Sequence, residues 1–323
     1  MFQQFVHFLN GIPFFSSVAF GIIAMVIVGS SWCLTGLVMG DAPKKGIESS
    51  LVQFCGSFVS CAFSVIILLA TSAYSTSTPK VTFLTCLTYF LGGTVNCIML
   101  QLMSKAMQVG PNGIIWAIIQ SALIFPFLGG IVFFDVKLTA LRGTGIVLML
   151  VALALFAMTK DNTGKSDNRQ WKLLTFAALV LTALQQNIAT LPAYFQEARG
   201  VTSIIRSLST AFGTMFGAVC WNLAQMNRRH WQEVKVSLQK WTLWKYIMAL
   251  QGFGLVFAYT LFYPGMNAMA DAGMGGMCYP MMVGSCIVTF TLTSVFLLKE
   301  KVTRLQVGAL VFCLGGLVLI CTR

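Results

Sequence analysis

The side chains best suited to chemistry are polar groups set inside long apolar runs. Gln185-Gln186-Asn187 interrupts one run, and Ser31-Trp32 sits near the middle of another. Asn96, Trp116 with Gln120 one turn on, Gln251 and Tyr259, and Tyr279 stand in four more. An amide offers donors and acceptors together, while an indole or phenol adds a flat face. That combination suits a neutral, polyhydroxylated ligand held by hydrogen bonds and by packing on its C–H surface. The competing account of each residue is hydrogen-bonding glue between helices.

Other chemistries lack their parts. All nine carboxylates (Asp41, Glu48, Asp135, Asp161, Asp167, Glu197, Glu233, Asp271 and Glu300) fall in loops or at the ends of apolar runs. His7 and His230 are isolated, and the ten cysteines include no CxxC pair. A nucleophile–base pair or a metal constellation has nothing to be built from, so neither an enzyme nor a metal or other cofactor is expected. There is no Walker-type loop for ATP. Proton coupling must use an end carboxylate, with Glu197 and Asp271 as candidates, or be absent.

The elements that position these residues are membrane helices. The 323 residues are 57% apolar and 9% charged, where a soluble domain carries about 25% charged. With ~20 apolar residues needed per crossing, ten segments emerge, near 17–39, 50–71, 82–104, 113–134, 141–159, 172–192, 202–224, 243–264, 277–298 and 305–321. The amino-terminal MFQQFVHFLNG has no basic region and does not read as a secretory signal peptide.

The chain also repeats itself. Gly110–Met158 and Gly273–Arg323 each read as two apolar runs joined by a polar corner, with Lys137–Leu141 lying over Lys301–Leu305. Such a long offset means internal duplication, since no solenoid unit is that long. The copies are 1–160 and 172–323, joined by a polar linker at 161–171. Five crossings per copy force the second to enter the membrane upside down, which is the inverted-repeat plan of secondary transporters. The expected fold is therefore all-α, with ten transmembrane helices as two inverted five-helix repeats.

Charge sets the orientation. Of the 21 Lys and Arg, only Lys80, Lys137, Arg142, Arg199, Arg206 and Arg323 fall on one side; the other fifteen fall opposite. The basic side is expected to be cytoplasmic, with both termini outside. This accounts for the net charge of +12 without a nucleic-acid partner. Before the eighth segment, Trp231, Val234, Leu238 and Trp241 recur at helical spacing among basic residues, the pattern of a helix lying in the interface. Arg206 is expected to snorkel. Pro192 and Pro280 are expected to bend their helices and free carbonyls. Gly213 and Gly217 form a GxxxG pair for helix packing, or for a homodimer as an alternative to a monomer.

The corner Leu298-Lys299-Glu300-Lys301-Val302-Thr303-Arg304-Leu305-Gln306-Val307-Gly308 resembles the signature end of the drug/metabolite transporter superfamily (ten-helix, EamA-like). Glu300, Thr303, Gln306 and Gly308 match its pattern, with the glycine one residue early; Asp135 and Gly145 stand near the corresponding places in the first half. Outward termini, the basic loop before the eighth segment and Gly93-Thr94-Val95-Asn96 are similar to the L-rhamnose/proton symporter and sugar-uptake branch. The resemblance implies a multi-pass protein of a plasma (bacterial inner) membrane that moves a small molecule through the bilayer, a sugar by symport in the first reading. Export of amino acids or related metabolites is the alternative. A non-transporting membrane scaffold is the alternative of another class.

Overall fold

The computed structural model describes residues 17–72, 74–134, 139–158, 169–225, 228–296 and 303–321. Among them there is no strand. The helices are α1 (Val18–Ser31), α2 (Cys33–Asp41), α3 (Ser49–Thr71), α4 (Pro79–Val109), α5 (Asn112–Gln120), α6 (Ile124–Phe134) and α7 (Ala140–Met158). They continue as α8 (Arg169–Thr190), α9 (Ser203–Ala224), α10 (Arg228–Gln239), α11 (Trp241–Phe257), α12 (Tyr263–Asp271), α13 (Cys278–Phe296) and α14 (Arg304–Cys321). The polar corners at Asp135–Leu138 and Lys299–Val302, and the linker from Thr159 to Asn168, lie outside the described residues.

Six stretches are long and apolar enough to cross a membrane: Val18–Lys45, Ser49–Thr71, Pro79–Val109, Asn112–Phe133, Gln170–Thr190 and Trp241–Asp271. Leu69, Phe83, Phe133, Phe176, Met248 and Val318 point outward and exposed around the bundle. Water would penalise so broad an apolar belt, and lipid does not. The chain is an α-helical membrane protein.

Packing follows from small residues. In α4 and α9, Gly93 lies against the Thr210 backbone and Gly213 against Phe90, so closely that a Cβ at either position would overlap a carbonyl. Thr94 and Thr214 fasten this seam, donating to the carbonyls of Gly213 (3.0 Å) and Gly93 (3.3 Å). The GxxxG pair is thus spent within the chain, where α4 already covers the face a partner copy would need. Gly29 of α1 meets the Met282 backbone of α13 in the same way, and Gly316 of α14 lies on Gly145 of α7. The principal neighbours are α4 with α8 and α9, α3 with α9, α7 with α14, α1 with α12 and α13, α5 with α8, and α3 with α11.

Two buried apolar clusters lie at opposite ends of the bundle. One gathers Met39, Met103, Ile115 and Leu243; the other gathers Met25, Phe127, Met269 and Met282. The loops at each end are tied together. At one end Thr76 donates from its backbone N–H to the Gly200 carbonyl (3.0 Å), Ser77 bonds the Glu197 carbonyl, and Arg199 pairs with Asp271. At the other, Lys240 donates to the carbonyls of Lys45 (2.8 Å) and Gly46 (2.7 Å), and Ser237 bonds Gly46. Gly46 has φ +64, a conformation that favours glycine. Helix α10 sits beside this second contact with Val234 and Ser237 buried and Trp231 and Leu238 exposed; Trp241, also exposed, opens α11.

Candidate functional site

Three helical rods are interrupted, and Trp32, Gln120 and Phe262 at or beside the interruptions line one cavity. The first parts at Trp32, between α1 and α2, where the Ser31 hydroxyl turns back to the Val28 carbonyl (2.6 Å). The second passes through a 3-10 turn at Ser121–Leu123, between α5 and α6. Pro126 lies just beyond; it offers no N–H, and its ring crowds the carbonyl four residues back. The third carries a π-helical segment, Ala258–Phe262, between α11 and α12, one residue before the Tyr263-Pro264 pair. Such segments are a common response to a missing helical hydrogen bond. Pro192 and Pro280, by contrast, produce no mid-helix bend. Pro192 follows the end of α8 in a 3-10 turn, and Pro280 lies in the first turn of α13, where proline is tolerated.

The cavity, about 230 Å³, is lined by Trp32, Asn96, Trp116, Gln120, Gln185, Gln186 and Tyr279, seven of the residues singled out in the sequence. Tyr89, Tyr263, Phe262, Thr35, Thr182 and Thr210 complete much of the wall. Among the described residues, no charged side chain lines it. Trp116 is held flat by stacking on Phe290 (5.2 Å between rings) and by Gly36, where a Cβ would come within 2.9 Å of the indole. Trp32 meets Tyr279 and Phe262 at ring distances of 6.1 and 6.5 Å. Gln186 is 3% exposed, and its carbonyl oxygen has no hydrogen-bond partner among the described residues. A buried carbonyl left this way is costly unless water or a solute meets it.

Three of the residues expected to bind solute, Ser31, Asn187 and Gln251, are not part of this wall. Asn187 does not face the cavity: its amide nitrogen donates to the Ala183 carbonyl (2.8 Å), and its oxygen faces Gly129 of α6. One residue along a helix turns the side chain by about 100°, and that step carries Asn187 off the wall that Gln185 and Gln186 share. Ser31 and Gln251 line an adjoining cavity. The side chain of Tyr259 lies outside the described residues. The two carboxylates expected to couple protons, Glu197 and Asp271, are exposed in the end loops, outside both cavities.

Arg206 departs from the snorkelling expectation. It is 4% exposed, donating to the carbonyls of Val201 (2.8 Å) and Ala198 (2.9 Å), with its guanidinium 5.9 Å from the Tyr263 ring. Two loop carbonyls and an aromatic face satisfy it where it stands, one layer behind the cavity wall. Tyr89 was legible in the sequence, because Tyr89, Gly92, Gly93 and Asn96 fall on one helical stripe. Thr182, placed one turn before Gln185 and Gln186, was legible in the same way.

No protein-family model matches the sequence, and no curated protein matches it. A solved structure described only as a crystal structure of a protein superposes with a TM-score of 0.60 at 13% identity, covering 92% of this chain and 96% of that one. At that identity the likeness speaks for the fold alone.

Proposed function

We propose that this chain is a secondary transporter that moves a small neutral polar solute, a sugar in the first instance, across a membrane by alternating access. The observation that carries the reading is the uncharged cavity walled by amides and aromatic rings where three helices break. Discontinuous helices around a central site are how transporters build such sites. An amino acid would bring a carboxylate and an ammonium into a wall that offers no opposite charge, which disfavours the export alternative. An immobile scaffold would gain nothing from leaving the Gln186 carbonyl unpaired.

In the same proposal the rods form ten spans as two inverted repeats, in the manner of the drug/metabolite transporter superfamily, with the basic loops cytoplasmic. The neighbour pairs support this. Exchanging the halves turns the α4–α8 contact into that of α11–α12 with α1, and the α1–α13 contact into that of α5–α6 with α8. The pairs α3–α9 and α7–α14 map onto themselves. Proton coupling, where present, acts through Glu197 or Asp271 at the end contact.

The test is uptake into proteoliposomes of labelled sugars and amino acids, with and without an imposed pH gradient. A neutral sugar is expected to accumulate or exchange. Folded protein that moves no member of the panel, or only amino acids, would sink the proposal.

A further inference from the structure

A second cavity, about 290 Å³, adjoins the first between α1, α3, α9 and α11. The two share Trp32, Thr210, Phe262 and Tyr263, so the Trp32 indole stands between them. The new wall is polar: Gln53, Ser57 and Ser60 from α3, Ser207 and Thr214 from α9, and Gln251 from α11. It too carries no charged side chain among the described residues.

The hydroxyls behave unequally. In an apolar setting a Ser or Thr hydroxyl commonly folds back onto the carbonyl four residues earlier, as Ser64 (2.7 Å) and Thr214 (3.0 Å) do here. Ser60 instead donates across to the Gln251 carbonyl oxygen. Ser57 and Ser207 do neither, and among the described residues neither hydroxyl has a hydrogen-bond partner. Two free hydroxyls on facing helices would be a net cost if the space stayed dry. Close packing does not seal it, because Gly254 of α11, which lines it, has open space where a Cβ would sit.

We infer that this second cavity is a binding site in its own right for a neutral hydroxyl-bearing solute, in series with the central cavity and partitioned from it by Trp32. Ser57 and Ser207 supply the free donors and acceptors, and the Ser60–Gln251 pair fixes the wall behind them. The inference rests on the transporter reading and adds a second station to its path.

The test uses the full chain in proteoliposomes, in a variant with native cysteines replaced, carrying Ser57→Cys, Ser207→Cys or Ser64→Cys. The first probe is a small water-borne methanethiosulfonate. A packed thiol loses about tenfold in thiolate for each unit its pKa is raised by apolar surroundings. Labelling at Ser57→Cys and Ser207→Cys is therefore expected to be at least about tenfold faster than at Ser64→Cys. The labelled neutral sugar identified by uptake should slow labelling at both positions, and Trp32→Ala should not remove that protection. Thiols that stay unreactive, or that react without protection while uptake persists, overturn the second site and leave the transporter reading intact. Absence of any uptake by the unmodified chain overturns both.

Discussion

Replacing Gln186 by leucine separates a ligand-reading amide from a structural one. The side chain is buried and its carbonyl oxygen unpaired, so the folded protein already bears the cost of that group. An unsatisfied buried acceptor costs ~1–3 kcal/mol, and an apolar group of similar size removes that cost. Gln186→Leu should therefore melt at the same temperature as the parent or above it. In the proposed solute-bound state the same oxygen would accept from a hydroxyl; losing that bond should weaken binding by ~1–3 kcal/mol, or roughly 5- to 150-fold in Kd. Stability can be followed with a thiol-reactive dye, because Cys33, Cys97, Cys278 and Cys286 are buried and become reactive on unfolding. Affinity follows from equilibrium binding of the labelled sugar. A variant that loses about 1 kcal/mol or more of stability while binding as tightly as the parent would refute the reasoning and make Gln186 packing glue.

Asn187→Ala should do the opposite, lowering the melting temperature while leaving Kd unchanged, since its amide faces Ala183 and Gly129; a weakened Kd at unchanged stability would return it to the cavity wall. Gly213→Ala drives a methyl group into the Phe90 backbone and should cost ~1–3 kcal/mol or more, whereas Gly252→Ala meets open space and should be neutral or stabilising by up to ~1 kcal/mol; melting of the two variants side by side checks the contrast. A membrane-impermeant thiol reagent outside the cell should label Ser77→Cys and spare Lys235→Cys in a variant without native cysteines, and the reverse pattern would invert the proposed topology. If uptake is acid-stimulated, the double variant Glu197→Gln with Asp271→Asn should lose the stimulation and keep exchange; full stimulation in it removes both carboxylates from the coupling.

Hydropathy made the helices legible, because lipid imposes length and apolarity on any crossing segment. The polar interruptions were legible for the same reason, and Trp32, Asn96, Trp116, Gln120, Gln186 and Tyr279 do converge on one cavity. Rotation was not legible. Gln186 and Asn187 look alike in sequence and are separated only by which neighbour each meets, Asn187 having Gly129 opposite it. Nor was the site of helix breakage, since a proline acts on the turn before it. Pro126 and Pro264 follow irregular turns at the cavity, while Pro192 and Pro280 sit where helices end or begin. Arg206 was misjudged because its partners are backbone carbonyls from a loop, which carry no sequence signal.

The ties at the two ends of the bundle differ in kind. One joins the Thr76 backbone and the Ser77 hydroxyl to the carbonyls of Gly200 and Glu197 and adds the Arg199–Asp271 ion pair; the other sets the Lys240 ammonium on the neutral carbonyls of Lys45 and Gly46. Dissolved salt screens both the ion pair and the lone ammonium, but anionic headgroups compete directly with neutral carbonyls for a cation. The two end contacts therefore answer to different features of their surroundings. Under the proposed alternating access, lipid charge in the leaflet beside Lys240 would bear on that contact directly, and the resting opening would shift with membrane composition.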